Sequence, residues 1–150
     1  QTKAIGNIGE AKVLAALVEM NIPVYMQFGD NEPADYIILF DSKPYKVQVK
    51  TSTTYNGETV KFDLCSSNLY HQRGTTRHMY TIEEVDFFLC YDYTTDKIFL
   101  IINQGNMTHI TIRYTKPKNN QVSGVRFAHQ YVLCAENLCG MINKLDKNRN

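Results

Sequence analysis

A mixed α/β domain, with a leading helix, a mixed sheet and flanking helices, is the fold this sequence predicts. Three observations predict it. A stretch with helical apolar spacing opens the chain and is followed by two Val-, Ile- and Tyr-rich runs around the turn-forming Asp41-Ser42-Lys43-Pro44. A second pair of apolar runs, 86–91 and 97–102, is joined through Thr94-Thr95-Asp96. A last periodic stretch, 135–145, carries Leu138, Met141, Ile142 and Leu145 on one side. With 150 residues, 43% of them hydrophobic, the chain is expected to form one domain able to bury a core without disulfides or metals.

Taken in order, residues 2–20 are expected to be helical. Ile5, Ile8, Leu14, Leu17 and Val18 form the stripe, Gly6 and Gly9 allow close approach to another backbone, and Asn21 ends the helix. Residues 24–28 form a short extended piece, followed by the loop Gly29-Asp30-Asn31-Glu32-Pro33. The hairpin Tyr36-Ile37-Ile38-Leu39-Phe40 and Tyr45-Lys46-Val47-Gln48-Val49-Lys50 comes next. Residues 59–65 alternate as a strand after the Asn56-Gly57 turn, and 109–115 and 124–128 read as strands linked by the polar loop 116–121.

The first hairpin carries the chemistry. If Ser42-Lys43 is the two-residue loop, Phe40 opposes Tyr45, Ile37 opposes Gln48 and Asp35 opposes Lys50. Side chains alternate along a strand, so Gln48 and Lys50 share a face with Asp35 while Val47 and Val49 face the other way. A one-residue slip would destroy the arrangement. A carboxylate, an amide oxygen and a lysine so placed can cut a phosphodiester. The preceding helix, with Gly9-Glu10, supplies a second carboxylate.

The ordered set Gly9-Glu10, Pro33-Ala34-Asp35 and Gln48-Val49-Lys50-Thr51-Ser52 resembles the PD-(D/E)XK nuclease superfamily, and within it the small group I intron homing endonucleases. Val85-Asp86-Phe87-Phe88 and Lys97-Ile98-Phe99-Leu100-Ile101 look like the strand pair that follows in such enzymes. The resemblance implies a restriction-endonuclease-like core and Mg2+ (or Mn2+) held by Asp35, the Gln48 side-chain oxygen and the Val49 carbonyl. Lys50 would orient or deprotonate the attacking water. Position 48 departs from the pattern, which has Asp or Glu there. Glu10 is therefore expected to restore the missing charge, at a second metal or a metal-bound water.

A net charge of +1 conceals an uneven distribution. Residues 66–80 contain no acid and hold His71, Gln72, Arg73, Arg77 and His78 among Asn, Thr and Tyr, side chains suited to base edges and phosphates. A second basic segment, about 113–128, holds Arg113, Lys116, Lys118 and Arg126. Both are expected to contact double-stranded DNA. A double-strand break needs two sites, so the chain is expected to be a homo-oligomer, at least a dimer and plausibly a tetramer, with the aromatic residues of 80–99 as interface. Cys65, Cys90, Cys134 and Cys139 lack metal-ligand spacing and read as buried reduced thiols. With no run of eighteen apolar residues and no charged-then-apolar leader, no membrane association is expected and the setting is cytoplasmic, or an organellar matrix. The function expected is a site-specific double-strand DNA endonuclease of homing type. A structure-specific nuclease of the Holliday junction resolvase type and a DNA-binding module that does not cut remain alternatives.

Overall fold

The computed structural model describes residues 3–70 and 74–149. Helix α1 spans Lys3–Glu19 and ends where Asn21 takes a left-handed φ of 59°, as the Asn stop signal predicts. Its buried positions are Gly9, Val13 and Leu17, one residue every four, while Ile8 and Val18 are exposed. The expected stripe is thus rotated about the helix axis. Val13 belongs to the core in their place, because the helix turns its glycine toward the sheet.

Strands β1 (Val24–Met26), β2 (Tyr36–Phe40), β3 (Lys43–Ser52), β7 (Phe87–Asp92) and β8 (Lys97–Ile102) form one sheet in the order β1-β2-β3-β7-β8. Only the β3–β7 pairing is parallel, so the sheet is mixed as expected. β1 is shorter than the predicted extended piece. Between β3 and β7 the chain forms β4 (Thr59–Asp63), β5 (Cys65–Tyr70) and β6 (Gly74–Met79); β4 pairs with β9 (His109–Arg113), and β5 with β6 as a separate ribbon. The expected strand 124–128 is absent; Phe127 makes one bridge to Arg113, and a short helix α2 (Ala128–Tyr131) follows. Helix α3 (Ala135–Arg149) buries Leu138, Met141, Ile142 and Leu145 as predicted, and runs one turn further.

The hairpin register corrects the expectation. Phe40 pairs with Lys43 and Tyr36 with Val47, so the loop is Asp41-Ser42, with φ of 50° and 65°. A two-residue loop of this hand requires positive φ at both positions, which Asp tolerates and a lysine resists. The shift relative to the expected pairing is two residues, and an even slip leaves every side chain on its face.

Alternation along β7 builds two cores. Phe87, Leu89 and Tyr91 face α1 and α3 with Val13, Leu17, Ile38, Val47 and Leu138, whereas Phe88 and Cys90 face β4 and β9 with Phe62, Phe99, Ile110 and Ile112. Every residue of β7 is buried. Of the aromatic residues expected to form an interface, Tyr80, Phe87, Phe88, Tyr91 and Phe99 lie in the core, and Tyr93 is exposed. The exposed large apolar residues are instead Tyr25, Met26, Phe28 and Ile37 on the β1–β2 edge, with Ile82 and Tyr93 among others. All four cysteines are free thiols, but only Cys65 and Cys90 are buried, and Cys139 is exposed on α3. Among the described residues no helix is long and apolar enough to cross a membrane.

Candidate active site

Pairing of β2 with β3 stops at Tyr36 and Val47, although β3 runs on to Ser52. Past that point the β2-side edge of β3 has no ladder partner, and the Val49 N–H would be left unsatisfied. Asp35, the residue just before β2, supplies the acceptor: its Oδ2 takes the Val49 N–H at 2.9 Å. Continuing the register places Asp35 beside Gln48, where Lys50 had been expected. In an extended strand the N–H and C=O of one residue project to the same edge, so the Val49 carbonyl also faces the Asp35 side.

Gln48 and Lys50 lie on the β3 face opposite Val47 and Val49. Gln48 Oε1 is the one buried side-chain nitrogen or oxygen among the described residues without a hydrogen-bond partner. Such an atom costs about 1–3 kcal/mol when nothing offsets its desolvation. Lys50 Nζ donates to the Cys65 carbonyl at 2.8 Å and stands 5.1 Å from the centre of the Tyr80 ring.

Glu10 comes from the helix layer. A β-carbon at Gly9 would fall 1.9 Å from Thr51 Oγ1, so glycine is what lets α1 lie against β3 there. Gly6, expected to act likewise, has nothing within 4 Å of its β-carbon position. The Tyr36 hydroxyl donates to the Glu10 carbonyl at 2.9 Å and fixes the helix from a second side.

The electrostatics agree with a desolvated anionic site. Burial, and then the charge of Asp35, raise the Glu10 carboxyl above its ordinary pKa. Burial also raises Asp35, against the lowering effects of the Val49 N–H and of Lys50. Tyr36 is pushed up to about 12 by burial and by the two carboxylates. Lys50 is lowered by burial, opposed chiefly by Asp63. Two close carboxylates that hold protons too tightly are what a divalent cation would relieve.

The donor set fits such an ion. Asp35, Glu10, the orphaned Gln48 oxygen and the Val49 carbonyl are all hard oxygen donors, the set that suits magnesium or manganese. Among the described residues no group of three or more His, Cys, Asp or Glu assembles for a metal, so the amide and the carbonyl are needed to complete the set. A cavity of about 380 Å3 opens beside Asp35, between β1, the 32–34 loop and Glu83-Glu84, but Gln48 and Lys50 do not line it.

Of the expected DNA contacts, His71, Gln72 and Arg73 lie outside the described residues. Arg77 and His78 stand on β6, each with an acidic partner: Arg77 with Asp63 at 2.5 Å, His78 with Glu84 at 2.9 Å. Arg113 bonds the Thr115 carbonyl at 2.9 Å, with Glu58 at 3.9 Å, and Lys116, Lys118 and Arg126 are exposed nearby in sequence. In the β4–β9 pair Arg113 opposes Thr59, at the end away from Asp63 and the ribbon. Among the described residues, Arg113 thus stands at the opposite end of the β4–β9 pair from Asp63, the partner of Arg77. Sequence reasoning missed Tyr36, Tyr80 and the Cys65 carbonyl; a tyrosine in a strand and a main-chain oxygen carry no local signal of what they will touch.

A helix bearing Glu, a strand bearing Q-x-K, an Asp at the open edge and a mixed sheet define an endonuclease core. The family model described as PD-(D/E)XK endonuclease matches residues 1–134, and the chain belongs to that family. It is a DNA endonuclease, a phosphodiester hydrolase, in a family whose nucleases generally use divalent metal ions. Among solved structures, the bacterial homing endonuclease I-Ssp6803I superposes with a TM-score of 0.73 at 18% identity, over 100% of this chain and 99% of that one. At that identity the likeness is one of fold. No curated protein matches the sequence.

Proposed function

We propose that the chain is a site-specific, divalent-metal-dependent double-strand DNA endonuclease of homing type, acting as a single nuclease domain. The observation that carries this reading is the orphaned Gln48 Oε1, on the β3 face shared with Lys50 and next to the Val49 N–H that Asp35 accepts, an atom whose burial is reasonable if it faces a cation. Asp35, Gln48, the Val49 carbonyl and Glu10 would hold Mg2+ or Mn2+. When bound, that ion shields the anionic phosphodiester and makes water more acidic.

The chain's own residues supply the rest. Asp35, pinned by the Val49 N–H, has a second oxygen to offer the site. Lys50 spends one N–H on the Cys65 carbonyl and has two left, enough to orient the attacking water and offset charge on the pentavalent phosphorus. Glu10 contributes the charge that the neutral amide at 48 lacks. Segment 66–80 reads the duplex with His71, Gln72, Arg73, Arg77 and His78, while Arg113, Lys116, Lys118 and Arg126 neutralise phosphates further along.

One site cuts one strand, so the enzyme works as a homo-oligomer, a dimer at least, and a tetramer where a long target demands more surface. The whole-chain likeness in fold to a homing endonuclease supports the site-specific reading over a shape-reading one. The expected setting is cytoplasmic, or an organellar matrix.

The test is incubation of the purified protein with a randomised duplex library, with and without Mg2+, and sequencing of newly made ends. Discrete ends at one long sequence, absent with Lys50→Ala, support the proposal. Retention of DNA without cutting overturns it in favour of a binding module, and cutting confined to branched DNA in favour of a junction enzyme.

A further inference from the structure

Lys50 is not free on its strand. Its ammonium donates to the carbonyl of Cys65, the first residue of β5, and sits over the ring of Tyr80, the residue that follows β6. Cys65 and Met79 are register partners, so these two contacts come from the two sides of the same base, where the ribbon leaves the body of the protein. A lysine side chain has four rotatable carbons and pays a large entropy cost when ordered. Something must hold it, and here both holding groups belong to the ribbon.

The base is itself fixed. Tyr80 is 6% exposed, packs edge-on against Phe88 with ring centres 5.9 Å apart, and has its carbonyl bonded by Asn103 Nδ2 at 3.2 Å. Phe88 is the β7 partner of Gln48, so the ring that touches Tyr80 lies beside the candidate metal ligand. Cys65, equally buried, has its N–H bonded by Asp63 Oδ1 at 3.0 Å. The same Asp63 oxygen pairs with Arg77 on β6. The ribbon base, the ribbon arginine and the lysine on β3 are thus linked through three short contacts.

We propose that Tyr80 and the Cys65 carbonyl are positioning groups for Lys50, so that the base of the β5–β6 ribbon holds the lysine in its working place. Tyr80 does not touch the substrate; it acts through Lys50. The inference rests on the assignment of Lys50 to the cutting step. Its consequence is that the DNA-reading ribbon and the catalytic lysine form one unit: damage at the ribbon base slows cutting without loosening DNA.

The experiment compares Tyr80→Phe, Tyr80→Leu and Lys50→Ala in the full chain, on a duplex that the unaltered protein cuts. Single-turnover cleavage at saturating protein gives the rate of the cutting step, taken as kcat for the comparison, and titration without divalent metal gives Kd. Tyr80→Phe keeps the ring and is expected within about threefold of the unaltered kcat. Tyr80→Leu keeps a buried apolar side chain but removes the ring, and is expected to lose about 10- to 30-fold in kcat with Kd within about twofold. Equal loss in Phe and Leu, or loss in Kd instead of kcat, overturns the proposal. If Tyr80→Leu does not fold, the unaltered protein still decides: a lysine ε-methylene signal shifted upfield by the ring and missing from Lys50→Ala supports the contact, and its absence overturns it. Full cutting by Lys50→Ala would instead remove the catalytic assignment on which the inference stands.

Discussion

Replacing Gly9 with alanine tests whether Glu10 depends on the closeness of α1 to β3. The added methyl falls 1.9 Å from Thr51 Oγ1, 3.2 Å from its Cβ and 3.4 Å from its Cγ2. Ordinary contact needs roughly 3.5 Å, so either the helix retreats by about 1.5 Å or Thr51 turns its hydroxyl away. Turning is restricted, because a β-branched side chain has few χ1 choices and the other two Thr51 atoms are already close. Overpacking of this kind costs about 1–3 kcal/mol. For a domain of this length each kcal/mol lowers Tm by roughly 2–4 °C, so a fall of about 2–12 °C is expected. Glu10 moves with the helix, and a displacement of the order of 1 Å in a catalytic constellation costs roughly 100-fold in rate. The assay is single-turnover cleavage with Mg2+ beside thermal denaturation. Thr51→Ala added to Gly9→Ala removes the two mobile atoms and should restore most of both losses. Wild-type cutting and Tm in Gly9→Ala, or a double variant no better than the single, would refute the reasoning.

Asp35→Asn and Lys50→Ala should each reduce cutting by about 1,000-fold or more while the protein still folds and binds DNA, by analogy with loss of other electrostatic groups at reacting centres; loss of binding in a gel-shift titration would sink the catalytic assignment. Glu10 and Asp35 have raised pKa values, so the folded protein holds their protons more tightly than the unfolded chain. The stability this contributes is fully present below the unfolded carboxylate values and is lost as pH rises through the folded ones, whereas cutting falls on the same acidification. Denaturant midpoints of unaltered protein and Glu10→Gln across mildly acid to neutral pH should converge as pH falls, and parallel curves would show that Glu10 is not strained. Gln48→Glu supplies a charged ligand and should change the ratio of Mg2+- to Mn2+-supported rates; an unchanged ratio would mean that position 48 does not face the ion. If Lys118 neutralises a phosphate as proposed, Lys118→Ala should reduce the slope of log K against log salt by about one, which a salt titration of DNA binding reads directly.

Much of this was readable in the chain because local and long-range signals agree. α3 and the β7–β8 hairpin keep their apolar period and turn residues in place, and the structure has them where the pattern puts them. The expected faces of β3 are unchanged by an error of register, since Asp41-Ser42 in place of Ser42-Lys43 moves the pairing by an even number of residues. What failed depends on tertiary contact. Val13 displaces Ile8 and Val18 from the buried face because Gly9 turns α1 toward Thr51. Val125 and Phe127 alternate like a strand, yet only Phe127 finds a bridge partner. The aromatic residues of 80–99 suit an interface and a core equally well by composition, and the two-sided burial of β7 decides for the core at Phe87, Phe88 and Tyr91 while Tyr93, just past the strand, is exposed. Nothing local could announce that Tyr80 would meet Lys50, because the two come together only when the β5–β6 ribbon has folded back.

The parallel pairing of β3 with β7 encloses the whole of β4, β5 and β6. Before those two strands can meet, a long stretch of chain must close on itself, and that entropy is spent before any of the central sheet's burial is recovered. Folding should therefore be slow for a protein of this length. An exposed β3 would wait with its open edge available to any other strand, so during synthesis this molecule is most vulnerable to aggregation in the interval between making Ser52 and making Phe87.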